Sequence, residues 1–331
     1  MNVLVTGADG EMGHALIPAL AAGGAHIVAL DQRTPVPELR AHCTEFVQAS
    51  ILDEPVMRDL FVRHRFERVF HLAAVLSSKA EQDPDLAQRV NVDGTYGIFR
   101  LCLELAAREG AAPRLLFPSS IAVYGLPDAE TKSRHGAVDE TEWLAPAGMY
   151  GCNKLYGELL GSYLSARRTT PLLDFRSIRF PGLISAETLP TGGTTDYAPE
   201  MIHAAAQGRP YACFVAETSR LPFMTMPDAI DALLALAEAH PARLRTRAYN
   251  IQGFSASAGE LRAETLRHFP AAKISFAPAP ARQAIVDSWP AALDDRRARE
   301  DWGLAPRHGL GEALSDYLVP ALLKRYAARP D

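Results

Sequence analysis

Tyr150-Gly151-Cys152-Asn153-Lys154 sets a phenol and an ammonium four residues apart, which on a helix is one turn along the same face. A phenol titrates near pH 10 and is a poor base at neutrality. A cation about 4 Å away changes that, because at an effective dielectric near 20 it is worth roughly 4 kcal/mol, or about three pKa units. Lys154 and a positive nicotinamide ring together could make Tyr150 a usable base, which takes the proton of a substrate hydroxyl while the carbon hydride passes to the nicotinamide. Ser120 closes the apolar run Arg114 to Pro118 and could hold the substrate oxygen by a hydrogen bond. Tyr150, Lys154 and Ser120 are therefore the catalytic candidates.

Gly7-Ala8-Asp9-Gly10-Glu11-Met12-Gly13 has the G-x-x-G-x-x-G spacing that lets a backbone turn tightly, approach a pyrophosphate and pack a helix on a strand. The free N–H groups of the helix that follows favour an anion. Gly7, Gly10, Glu11, Met12 and Gly13 are thus candidate cofactor contacts. Asp31 closes the second strand about twenty residues on, where a carboxylate accepts from an adenosine ribose and repels a 2′-phosphate. The expected cofactor is NAD rather than NADP, and Arg33 is the neighbour that argues the other way.

The elements that must hold these groups follow from periodicity. Val3 to Thr6, Ala25 to Asp31, Arg68 to Leu72 and Arg114 to Pro118 read as four buried strands. Helical patterns over Glu11 to Ala22, Val56 to Arg63 and Asp85 to Glu109 separate them. That alternation predicts an α/β fold, a Rossmann-type doubly wound parallel sheet. A Pro/Gly-rich stretch from Gly125 to Gly148 precedes a helix over Tyr150 to Ala166 and a strand over Leu172 to Ile178. Past Arg179 the composition shifts toward Pro, Gly and Thr. The expected division is residues 1–180 as the dinucleotide-binding domain, with 225–255 returning to it, and 181–224 with 256–331 as a smaller substrate lobe.

The 331 residues are 48% apolar and 22% charged, which excludes disorder and peptide-sized scaffolds, and a net charge of -5 gives nucleic acid no basic surface. No apolar run reaches the roughly 18 to 20 residues of a membrane span. Met1 to Val5 runs into the glycine turn without the pattern of a signal peptide, so a cytoplasmic chain is expected. Cys43, Cys102, Cys152 and Cys213 stand apart and read as reduced, buried thiols, and no histidine pattern suggests a metal.

Together with His71-Leu72-Ala73-Ala74 and Asn91, these motifs resemble the extended short-chain dehydrogenase/reductase family across the whole chain. The resemblance implies that Ile51, Leu72, Ala73, Ala74 and Asn91 line or support the cofactor beside Tyr150 and Lys154, and that Pro181 and Leu183 meet its carboxamide. The phrases Arg179 to Ser185, Gly192 to Ala198, Met226 to Ile230 and Arg282 to Gly303 look like the L-threonine 3-dehydrogenase branch. In that branch Ser77, Thr195 and Asp196 would contact an amino-acid substrate, and Asp196 could pair with its ammonium. The competing reading of Asp196 is a helix cap. The implied reaction is NAD-dependent oxidation of the 3-hydroxyl of L-threonine or a related 3-hydroxy amino acid, with a homodimer paired through the helices carrying Leu101, Leu105, Leu155 and Leu159. Lys79, Ser77 and Arg220 compete to hold the substrate carboxylate. The residues leave open a sugar-nucleotide epimerase or dehydratase using the same Tyr/Ser/Lys set, a dehydrogenase of four-carbon sugar acids, and a dinucleotide-sensing protein without catalysis.

Overall fold

A computed structural model describes residues 1–167, 169–170, 172–190 and 193–327. Gly192 of the expected Gly-Gly-Thr-Thr-Asp-Tyr loop therefore lies outside the described residues. The chain divides into two units: Met1–Ser120 with Met149–Arg179 and Leu233–Tyr249, and Ile121–Gly148 with Phe180–Ala232 and Asn250–Asp331.

The first unit is built on β1 (Asn2–Thr6), β2 (His26–Asp31), β3 (Glu45–Gln48), β4 (Arg68–His71) and β5 (Arg114–Ser120), joined by the strands Asp174–Phe180 and Ala248–Asn250. Their order across the sheet is Ala248–Asn250, Asp174–Phe180, β5, β4, β1, β2, β3. β1 pairs with β2 and β4, β2 with β3, and β4 with β5, all in parallel. The sequence explains the burial: Val3, Leu4 and Val5 form a continuous apolar run, as a strand covered on both faces requires, and each is fully buried. Helix α1 (Glu11–Ala22) turns Leu16, Ile17 and Leu20 inward.

Two elements depart from expectation. β3 was not anticipated: Glu45-Phe46-Val47-Gln48 is four residues long and polar at both ends, as suits a sheet edge, and its pattern is too short to stand out. The helical period over Asp85 to Glu109 is not one α-helix but Pro84–Ala87, a π-helical segment Gln88–Gly94, and Thr95–Glu109. The π-turn places the buried Asn91 where its carboxamide reaches the Val75 backbone.

The second unit holds a three-stranded sheet in the order Phe254–Ser257, Arg220–Thr225, Gly182–Ile184, antiparallel at the first pairing and parallel at the second. Tyr211–Cys213 pairs with Ile274–Phe276, and Ala137–Val138 with Ala292–Leu293. A capping box formed by Ser257 and Glu260 starts the helix Ala258–His268. The division of the chain differs from the expected one. Residues 121–148 join the second unit because Ala137–Val138 pairs with a strand of that unit and the buried Lys132 donates to Val286 O at 2.7 Å. Residues 225–232 and 250–255 also group there, leaving 233–249 as the returning segment.

Among the described residues no helix is long and apolar enough to cross a membrane, and no group of three or more His, Cys, Asp or Glu could hold a metal ion. Cys43, Cys102 and Cys213 are buried, but Cys152 is exposed because its position on the helix Met149–Ala166 faces away from the sheet.

Candidate active site

Gly7 closes β1 at a φ of 68°, and a Cβ there would stand 2.5 Å from Ala73 N and 2.8 Å from the Leu72 carbonyl carbon. The turn therefore lies directly against the end of β4, where only glycine fits. Gly13 does the same inside α1, where a Cβ would overlap the Ala8 carbonyl. Gly10 is the N-cap of α1 and offers no side chain, so the first turn, with Glu11 and Met12, presents N–H groups that the helix itself cannot satisfy. Asp31 lies beside this turn and accepts from Asp9 N at 3.0 Å and Arg33 N at 3.0 Å. A side-chain-free turn, an uncapped helix start and a carboxylate at the end of β2 together fit a dinucleotide.

Leu72 N donates to Thr6 O at 3.0 Å and Ala73 N to Thr6 Oγ1 at 3.4 Å, so Leu72, Ala73 and Ala74 leave β4 alongside β1. Ile51 packs on Gly94, where a Cβ would approach its Cδ1 to 2.6 Å. Asn91 accepts from Val75 N at 2.7 Å and donates to Val75 O at 2.9 Å and Asn153 Oδ1 at 3.1 Å. That carboxamide ties the segment after β4 to the helix of Tyr150.

Two glycines let that helix, Met149–Ala166, lie close to the sheet: Gly157 meets the Phe117 ring and Gly161 the Phe175 ring. Glu81, on the helix Ser77–Gln82, accepts from Met149 N at 2.5 Å and so caps its first turn. Lys154 is thereby driven inward, buried, with Nζ donating to Pro118 O at 2.6 Å, 4.6 Å from the centre of the Phe117 ring and 5.5 Å from that of Tyr150. Ser120 ends the same strand two residues on, and the buried Ser119 hydroxyl has no hydrogen-bond partner among the described residues. Tyr150, Lys154 and the end of β5 are thus brought together. Ser77 begins its short helix, and Lys79 beside it is exposed.

Burial acts on both Tyr150 and Lys154. Burial pushes the Tyr150 phenol above its usual value, although part of the side chain reaches solvent. Burial also brings the Lys154 ammonium down to about 8, against a smaller upward pull from Glu158. Burial thus opposes the ionised form of both groups, and making a phenolate of Tyr150 calls for a positive charge in addition to that of Lys154.

Sequence reasoning gave no role to three neighbours. Glu158, four residues past Lys154, is buried and accepts from Arg179 in three contacts of 2.9, 3.1 and 2.6 Å. The Tyr150/Lys154/Glu158 spacing carried that signal. His71 is fully enclosed between Thr6 Oγ1 at 2.8 Å and Thr95 Oγ1 at 3.0 Å, and burial, with Lys154 adding to it, lowers its pKa to about 3. Asp9, inside the glycine turn, is engaged by Arg33 and His14.

In the second unit Pro181 is buried, and Leu183 is paired with Met224 in the three-stranded sheet. Thr195 and Asp196 precede the helix Tyr197–Ala206. Asp196 occupies the N-cap position, but its side chain makes no capping bond and turns back to accept from Gly193 N at 2.7 Å. The capping reading is therefore set aside. Arg220 is engaged by Glu260 at 2.6 Å and by Ser255 O.

Residues 3–251 match the profile of the NAD dependent epimerase/dehydratase family. The chain belongs to that family. It is 35% identical to the mitochondrial L-threonine 3-dehydrogenase of Bos taurus over 96% of this chain and 82% of that one. Among solved structures it is similar to a GalE-like L-threonine dehydrogenase from Cupriavidus necator in holo form, with 35% identity, a TM-score of 0.86, and 97% and 99% of the two chains covered. A monomeric L-threonine 3-dehydrogenase from a metagenome, in apo form, gives 34% identity, a TM-score of 0.86, and 98% and 99%.

Proposed function

We propose that this family member is an NAD-dependent dehydrogenase that oxidises the 3-hydroxyl of L-threonine, or of a closely related 3-hydroxy amino acid, to the 3-oxo acid. The observation that carries the reading is 35% identity to an L-threonine 3-dehydrogenase over 96% of this chain, in a chain with a tyrosine and a buried lysine one helical turn apart beside the end of β5. Gly7, Gly10, Glu11, Met12, Gly13, Asp31, Arg33, Ile51, Leu72, Ala73, Ala74, Asn91, Pro181 and Leu183 are assigned to the cofactor, with Asp31 selecting NAD. A bound NAD supplies the hydride acceptor and a positive charge that favours a phenolate.

Tyr150 then takes the proton of the substrate hydroxyl, Ser120 holds that oxygen by a hydrogen bond, and Lys154, fixed on Pro118 O, keeps a cation beside the phenol. Ser77, Thr195 and Asp196 are assigned to the amino acid, and the Asp196 carboxylate suits its ammonium. A sugar nucleotide would offer no such cation. Lys79, being exposed, and Arg220, being engaged by Glu260, are weaker candidates for the carboxylate.

The cytoplasm is the proposed compartment. A homodimer is the proposed assembly, through the exposed Tyr96, Tyr156, Leu159 and Tyr163; Leu101 and Leu105 belong to the core instead. Light scattering tests the assembly, since one relative is described as monomeric. The reaction is tested by NADH formation with L-threonine, serine, threo-3-hydroxy amino acids and aldonic acids. Tyr150→Phe is expected to remove most turnover and leave NADH affinity nearly intact, and turnover of aldonic acids but no amino acid would refute the substrate.

A further inference from the structure

An acid in a turn meant for phosphates is an odd choice, yet Asp9 stands between Gly7 and Gly10 with its side chain only 12% exposed. Its carboxylate takes Arg33 Nε at 3.2 Å on one oxygen and His14 Nε2 at 3.0 Å on the other. Arg33 also donates through Nη2 to the Asp9 carbonyl, and its Nε lies 3.5 Å from Asp31 Oδ1. Asp9 N in turn donates to Asp31 Oδ2 at 3.0 Å. The guanidinium is thus held across the glycine turn by two carboxylates and a carbonyl, although 61% of its side chain is exposed.

Arg33 lies two residues past the carboxylate that suits a ribose hydroxyl, where a free cation would accommodate a 2′-phosphate. Turning its donors to that phosphate would cost Arg33 its bonds to Asp9, and the Asp9 carboxylate would then be a like charge near the phosphate, paired among the described residues with His14. We infer that Asp9 is a specificity residue: by holding Arg33 on the glycine turn it denies NADP the cation that Asp31 alone leaves within reach. The inference rests on the proposed reading of this turn as a dinucleotide site. It goes further in giving the exclusion two parts, repulsion by Asp31 and sequestration of Arg33 by Asp9.

Calorimetric titration of NADH and NADPH into the full chain, Asp9→Asn, and Asp9→Asn/Arg33→Ala at one fixed ionic strength tests it. Asp9→Asn is expected to bind NADPH at least tenfold more tightly than the unsubstituted chain, with NADH affinity changed less than threefold, and the added Arg33→Ala to remove the gain. Far-ultraviolet circular dichroism of each variant reports that the chain is folded. An NADPH gain that is absent, or that survives Arg33→Ala, overturns the inference while leaving the dinucleotide reading intact. An unsubstituted chain that binds neither nucleotide overturns both.

Discussion

Neutralising one partner of the Glu158–Arg179 pair is the sharpest perturbation of the helix that carries Tyr150. The two side chains are 3% and 4% exposed and meet in contacts of 2.9, 3.1 and 2.6 Å. At such distances and an effective dielectric near 20 their attraction is about 5 kcal/mol, opposed by a desolvation penalty of several kcal/mol per ion, so the intact pair is close to neutral for stability. Arg179→Met or Glu158→Met instead strands one charge and should each cost about 3–5 kcal/mol. The double substitution removes both charges at similar volume and should lie within about 2 kcal/mol of the unsubstituted chain, giving a coupling energy of several kcal/mol. Denaturant unfolding followed by far-ultraviolet circular dichroism measures all four proteins. Single variants that each cost under about 1 kcal/mol, as exposed pairs do, would refute the account of a desolvated pair. Glu158 also raises the pKa of Lys154, so Glu158→Met should push that ammonium further below about 8 and move the alkaline limb of kcat/KM to lower pH.

Gly7→Ala should abolish NADH binding in calorimetry, since the residue would carry a positive φ and drive its Cβ into the Ala73 backbone; retained affinity would show that the turn can yield. Lys154 has a folded pKa of about 8 against 10.5 in solution, so below pH 8 its buried charge works against folding, and this opposition fades as pH rises toward 10.5. Lys154→Met should therefore lose activity yet gain up to about 3 kcal/mol of stability at pH 7, less roughly 1 kcal/mol for the bond to Pro118, as equilibrium unfolding would show. His71 has a folded pKa of about 3 against 6.5 in solution, so as pH falls below 6.5 the unfolded chain takes up a proton that the folded chain refuses. Stability should drop by about 2 kcal/mol between pH 6.5 and pH 5, and His71→Asn should lack that loss in pH-dependent denaturation.

Much of the first unit could be read in advance because its signals are local. β1, β2, β4 and β5 are apolar runs bounded by turns, and the glycine spacing says what the first turn must do. β3 escaped because an edge strand needs little hydrophobic pattern, and the π-turn at Asn91 escaped because it is set by a buried carboxamide bonding to Val75, sixteen residues away in sequence. The units of the chain differ from the expected domains for a related reason. Residues 121–148 hold no long periodic element, and what fixes them are contacts with partners more than a hundred residues on, among them a short strand pairing, the buried Lys132, and the bond from Leu126 N to Ser288 O.

The site shows where residue type stops being informative. Tyr150 and Lys154 announce themselves by spacing, and the helix does set them side by side, yet spacing says nothing of the solvent each loses. Packing Gly157 and Gly161 onto Phe117 and Phe175 buries the lysine deeply enough that desolvation lowers its pKa to about 8. The same burial that raises the phenol makes each remaining charge count for more, since a low dielectric strengthens every interaction it does not prevent. On the proposed reading, such a site would hold Tyr150 protonated until the positive charge of a bound NAD arrived. Proton removal would then be tied to cofactor binding, and a chain without NAD would be kept from abstracting protons it has no means to pair with a hydride.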